Sequence, residues 1–81
     1  MPEPHLKPVS IVVNGTQVPM TGHKATGKEI KEAAIAKGVK IQLDFNLFRI
    51  EGDRQYPVGD ADTVALHEGE AFRAVAGDDN S

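Results

Sequence analysis

Three histidines, His5, His23 and His67, are the chain's candidates for metal binding or proton transfer. Such chemistry needs ligands or acid–base partners at short, fixed spacing, and these three stand far apart along the chain. They read as solvated side chains. Cysteine is absent, which removes zinc–thiolate sites, disulfides, thiol nucleophiles and iron–sulfur clusters. The run Gly22-His23-Lys24-Ala25-Thr26-Gly27-Lys28 has the residue types of a phosphate loop. Glu29 stands where that motif needs Ser or Thr, so the run reads as a loop leading into a helix. Asp60 and Asp62 offer a carboxylate pair, but in a polar stretch they read as a turn. Ser10 and Ser81 have no His and Asp placed to form a triad. No catalytic residue, metal or cofactor is expected, and the chain reads as a non-enzyme.

What remains is an end and a surface. Ala76, Gly77, Asp78, Asp79, Asn80 and Ser81 offer no large apolar side chain to pack and carry two adjacent like charges. Residues 77–81 are therefore expected to be a flexible tail. Met1 to Pro8 hold three of the five prolines and one large apolar residue, Leu6, and read as a flexible leader. The domain is expected between them, over residues 9–76. Val12, Phe48 and Arg73 share one outward sheet face if Ile11, Leu47 and Phe72 turn inward. Apolar side chains on an open face rimmed by charge are partner-recognition surfaces.

Composition limits the alternatives. Eighty-one residues make one domain at most, with one small core. The net charge of −3, from 9 basic and 12 acidic residues, argues against nucleic-acid binding. The longest aliphatic run, Ile11-Val12-Val13, is far too short to span a membrane. The first residues lack the basic and apolar regions of a signal peptide, so the expected compartment is cytoplasmic.

These surfaces must be positioned by secondary structure. Asn14-Gly15 between two β-prone runs predicts a hairpin over Val9 to Met20, because both turn residues tolerate positive φ. Its register opposes Val13 to Thr16, Ile11 to Val18 and Val9 to Met20, which turns Val9, Ile11, Val13, Val18 and Met20 inward. Pro19 then points its missing donor away from the first strand, so the second strand is expected at a sheet edge. Thr21 to Ala25 reads as a loop. Thr26-Gly27-Lys28-Glu29 reads as a capping box opening a helix to about Lys37, with Gly38 as its left-handed stop. Ile30, Ala33 and Ala34 form the buried stripe; Lys28, Lys31 and Glu32 are expected on the solvated side.

Phe45 to Ile50 predicts a third strand whose facing the pattern leaves open. Tyr56-Pro57-Val58 is a short extended piece, Asp60 to Thr63 a polar turn, Val64 to Leu66 an apolar segment, and Ala71 to Ala76 the last strand. One helix must bury its stripe on one face of a sheet, and the first strand needs a second neighbour, which the last strand can supply in parallel. The expected fold is therefore α+β: a β-grasp, a four- to five-stranded mixed sheet with one helix packed across one face. Core burial is expected for Ile11, Val13, Val18, Ile30, Leu47 and Phe72.

The segments Ile11 to Gly15, Thr26 to Ile30, Asn46 to Ile50 and Leu66 to Val75, in this order and spacing, resemble the bacterial multiubiquitin family of ubiquitin-like domains. The resemblance covers Val9 to Val75. It implies a protein modifier, activated at its C-terminus and conjugated to target proteins by activating-enzyme-like and conjugating-enzyme-like partners, with a processing protease. It also implies a link to antiphage defence. The chain departs from the family's tandem arrays in carrying one domain, and it lacks a terminal diglycine. Glycine suits a terminus that must thread into an adenylation site, and here only Gly77 serves. Either the tail is trimmed to Gly77, or another terminal residue is accepted, or this copy is not conjugated. Lys7, Lys24, Lys28, Lys31, Lys37 and Lys40 are candidate acceptors for a second modifier, or plain solubilising charges. The alternative function is a non-covalent adaptor, or a self-assembling module acting through its sheet face or edge strand.

Overall fold

The first hairpin forms as its turn dictates. A computed structural model of the protein describes residues 9–77. The expected leader, with His5 and Lys7, and residues 78–81 of the tail lie outside the described residues. Asn14 and Gly15 take φ of 52° and 84°, the positive values that a two-residue turn between twisted strands requires. Strand β1 (Val9–Val13) and strand β2 (Thr16–Met20) pair antiparallel, with Val9 opposite Met20, Ile11 opposite Val18 and Val13 opposite Thr16. All five residues expected to face inward are buried.

Lys24–Thr26 forms a short strand, β3, which takes the last two residues of the expected loop and the N-cap residue Thr26. It pairs antiparallel with β6 (Thr63–Ala65), which takes the last residue of the expected polar turn and the first two of the expected apolar segment, in a separate two-stranded sheet. Neither half is long enough to show a period of its own. The pairing joins two segments remote in sequence, which local patterning does not reveal.

Helix α1 (Gly27–Ala36) opens on the full capping box: Thr26 Oγ1 accepts from the Glu29 amide at 3.2 Å, and Glu29 Oε1 accepts from the Thr26 amide at 2.9 Å. Lys37 caps the other end, Gly38 turns to φ 96°, and the Val39 amide donates back to the Ala34 carbonyl at 3.0 Å. Gly27 is required for a different reason. It packs against the backbone of Gly59, whose carbonyl lies where a Cβ would stand. Gly27→Ala is therefore expected to cost about 1–3 kcal/mol through overpacking, read as a lower urea midpoint. An unchanged midpoint would show that this contact has slack.

Strand β4 (Asn46–Glu51) and strand β5 (Arg54–Val58) form a second hairpin about Gly52-Asp53, so the extended piece is longer than its apolar residues suggest. Strand β7 (Ala71–Val75) lies between β1 and β4, parallel to the first and antiparallel to the second. The main sheet is thus mixed and five-stranded, in the order β2-β1-β7-β4-β5, with β2 at one edge. Leu47 is buried, which settles the facing of β4 and turns Phe48 to the opposite side. Ile30 and Ala34 of the helix join Ile11, Val13, Val18, Leu47 and Phe72 in one core cluster, and all six expected core residues are buried.

Two polar anchors complete the frame. Asn14 does more than turn the chain. Its Oδ1 accepts from the Ala74 amide at 2.8 Å and its Nδ2 donates to the Ala74 carbonyl at 3.0 Å. The side chain thereby extends the β1–β7 pairing past the end of β1. The second anchor corrects an expectation. Lys31, placed on the solvated side of the helix, is 3 % exposed. The connection between α1 and β4 runs back beside the helix. Lys31 Nζ donates to the carbonyls of Leu43 at 2.6 Å and Phe45 at 2.8 Å, and pairs with Asp60 Oδ1 at 2.7 Å. An ammonium has three donors, and all three are used.

Candidate functional site

The C-terminal segment leaves the sheet from its central strand. The last rung of β7 pairs Val75 with Asn46, and Ala76 and Gly77 follow, both exposed. Gly77 lies against the start of β4: a Cβ there would meet the Asp44 carbonyl at 3.3 Å and the Asn46 side-chain amide at 3.6 Å. That spacing is tight for a side chain. Two carbonyls flanking Asp44, those of Leu43 and Phe45, are the ones held by Lys31. The buried ammonium therefore fixes the ledge on which the described end of the chain rests. Asp78, Asp79, Asn80 and Ser81, the rest of the expected tail, lie outside the described residues.

The outward face of the main sheet collects the second set of residues. Alternation along each strand puts Val12 of β1, Ala71, Arg73 and Val75 of β7, and Phe48 and Ile50 of β4 on this side. Phe48 stands directly opposite Arg73, and Val12 stands opposite Ala71, one step diagonal from Arg73. The three expected patch residues are thus neighbours on adjacent strands. The expected patch left out Ile50, Ala71 and Val75, all half-buried on the same face, although the period of two that puts Phe48 and Arg73 there puts Ile50 and Val75 beside them. Gln17 and Pro19 on β2, and Gln55 and Pro57 on β5, flank the face and are exposed. A hollow of about 560 Å³ is lined by Ile50, Gln55, Arg73 and Val75 together with the turns at Asn14-Gly15 and Gly52-Asp53. Arg73 is the one charged side chain that these strands place on this face among the described residues.

The other side chains singled out for chemistry are not brought together. His23 and His67 are exposed on separate loops, and His67 Nδ1 lies 3.1 Å from Glu70 Oε1. Glu70 also lies 3.7 Å from Arg49, whose guanidinium sits 5.4 Å from the Tyr56 ring centre. This is an ion-pair cluster at the end of the inner face. No group of three or more acidic, His or Cys side chains able to hold a metal occurs among the described residues. Asp62 closes its own turn by accepting from the Gly59 amide at 2.8 Å, while Asp60 faces Lys31. The two carboxylates therefore serve different contacts.

The start of α1 does not offer phosphate-binding amides. Gly27 donates to the Asp62 carbonyl at 3.1 Å, Lys28 donates to the Asp60 carbonyl at 3.3 Å, and Glu29 donates to Thr26. The turn at Asp60–Asp62 occupies the place an anion would take. Of the lysines considered as acceptors, Lys24, Lys28, Lys37 and Lys40 are exposed and Lys31 is enclosed. No helix among the described residues is long and apolar enough to cross a membrane. No family model, curated protein or solved structure matches this chain.

Proposed function

We propose that the chain is a ubiquitin-like protein modifier of β-grasp fold, similar to the bacterial multiubiquitin family, joined to targets through its C-terminal end. The observation that carries this reading is the exit of the chain. The central strand β7, parallel to β1 and locked to it by Asn14, runs out at the sheet's end into exposed Ala76-Gly77. A modifier needs a rigid body recognised by its enzymes and a slim end that reaches an active site. The helix across one face and the open face on the other are compatible with a β-grasp.

The chemistry is that of acyl activation. The terminal carboxylate attacks the α-phosphate of ATP and pyrophosphate leaves. An enzyme thiol displaces AMP from the acyl adenylate, and an amine of the target then displaces the thiol to form an amide. Gly77 or a residue just after it is the acyl donor, after a protease trims the tail or with the end intact. Val12, Phe48 and Arg73 form the surface read by the activating and conjugating enzymes. Activity in the cytoplasm and a role in antiphage defence belong to this proposal.

The test mixes the protein with its cognate activating and conjugating enzymes, with and without the processing protease. The expected result is a covalent adduct that disappears when the chain is truncated after Ala76 and weakens at least tenfold in Phe48→Glu. Equal conjugation of the truncated and full-length chains would make the tail irrelevant. No adduct with a complete enzyme set would overturn the reading and leave the alternative, a non-covalent adaptor working through the same open face.

A further inference from the structure

The two edges of the five-stranded sheet are built to one pattern. Each edge strand follows a two-residue turn: β2 follows Asn14-Gly15, and β5 follows Gly52-Asp53. Each then carries Gln at its second position and Pro at its fourth, as Thr16-Gln17-Val18-Pro19-Met20 and Arg54-Gln55-Tyr56-Pro57-Val58.

The register shows which way these backbones point. On β1, the Ser10 carbonyl accepts from Gly69, the Val12 amide donates to Glu70, and the Asn14 amide donates to Phe72. Residues 10, 12 and 14 therefore aim their backbone groups at β7 and its approach. Val9, Ile11 and Val13 are left to bond with β2. In an antiparallel ladder, bonded pairs alternate with unbonded ones. Ser10–Pro19 and Val12–Gln17 are thus the unbonded pairs, and the backbones of Gln17 and Pro19 point out from the edge. The second hairpin follows the same rule. Glu51–Arg54 closes its two-residue turn as a bonded pair, so Ile50–Gln55 and Phe48–Pro57 are unbonded. Gln55 and Pro57 point out from the other edge. Each edge strand keeps one outward N–H, that of its Gln, where a strand of its length would otherwise offer two. The proline ring fills the place of the second donor.

We propose that Pro19 and Pro57 close both edges of the sheet to strand addition, so that neither a second copy of this chain nor an extended peptide joins it by backbone pairing. An exposed row of unpaired amides is a template for assembly, and proline on the edge is a way to remove it. The proposal goes beyond the function assigned above and does not depend on it. It strikes out one form of the adaptor alternative, self-assembly through an edge strand, and leaves the open face as the place where partners meet the sheet.

The number of open edges sets the assembly expected. Opening one edge lets two copies pair edge to edge, and that contact closes at a dimer. Opening both leaves a free edge on every assembly, so growth has no natural end. Pro19→Thr, Pro57→Thr and the double variant, each in the full chain, are compared by size-exclusion chromatography with light scattering. The unaltered protein is expected to stay monomeric, each single variant to approach twice its mass as concentration rises, and the double variant to form larger species that bind thioflavin T. Gln17→Thr with Gln55→Thr, which alters neighbouring outward positions but keeps both prolines, is expected to remain monomeric. Far-UV circular dichroism confirms folding; if the threonine pair unfolds, Pro19→Ala with Pro57→Ala restores both amides and is read in the same way. A folded double variant that stays monomeric would overturn the proposal. So would association of the glutamine control.

Discussion

Phe72→Ala is expected to remove about 3–5 kcal/mol of stability, a large share of what a domain this small possesses. Phe72 is 2 % exposed on the central strand, opposite Val13 on one neighbour and Arg49 on the other. It belongs to the cluster that joins the helix stripe to both hairpins. Truncation removes most of an aromatic side chain from a site walled by sheet backbone, which relaxes little, so a cavity remains and adds to the lost transfer energy. Urea melts at fixed slope measure the loss. A change below about 1 kcal/mol would place Phe72 outside the packing that holds the sheet to the helix.

Lys31→Met is expected to cost about 2–4 kcal/mol, with the stem volume nearly kept and the ammonium lost. The cost comes from the two part-buried backbone carbonyls, Leu43 and Phe45, which lose the donor they share. Asp60 contributes less. Its side chain is 59 % exposed, so water can take over its solvation when the partner leaves. The two substitutions are therefore expected to be unequal: Asp60→Asn should cost less than about 1 kcal/mol in the same melts. Equal losses would assign the contribution to the ion pair and not to the carbonyls. The substitution should also loosen the ledge under Gly77, seen as faster hydrogen exchange at the amides of Phe45 and Asn46.

How far these sites were legible in the sequence depends on how local their causes are. Asn14-Gly15 fixes a register within a few residues, and one proline within that register places the edge; both follow from backbone sterics alone. The capping box, the Gly38 stop and the parallel placement of β7 were legible for the same reason or by elimination. The β3–β6 pair was not, since two three-residue segments meet only after the rest of the chain has folded. Lys31 was misplaced because side-chain type drew the helix stripe, while the α1–β4 connection decides what that flank touches. Asn14 shows both sides. Its positive φ was readable, but the bond its side chain makes to Ala74 requires β7 to be in place. At the candidate site, Val12, Phe48 and Arg73 followed from alternation once Leu47 was turned inward, a choice the pattern of β4 could not make. Gly77 was legible as the late glycine. Its rest against Asp44 and Asn46 was not.

Under the proposed function, this chain is transferred to other molecules through its C-terminal end. The direct measurement is the intact mass of the chain, tagged at its N-terminus and isolated from its own host under denaturing conditions. The expected result is a ladder of covalent adducts, linked by an amide at Gly77 or just beyond it and absent when the chain is truncated after Ala76. A single species at the mass of the full chain, in cells that contain the complete conjugating enzymes, would contradict it.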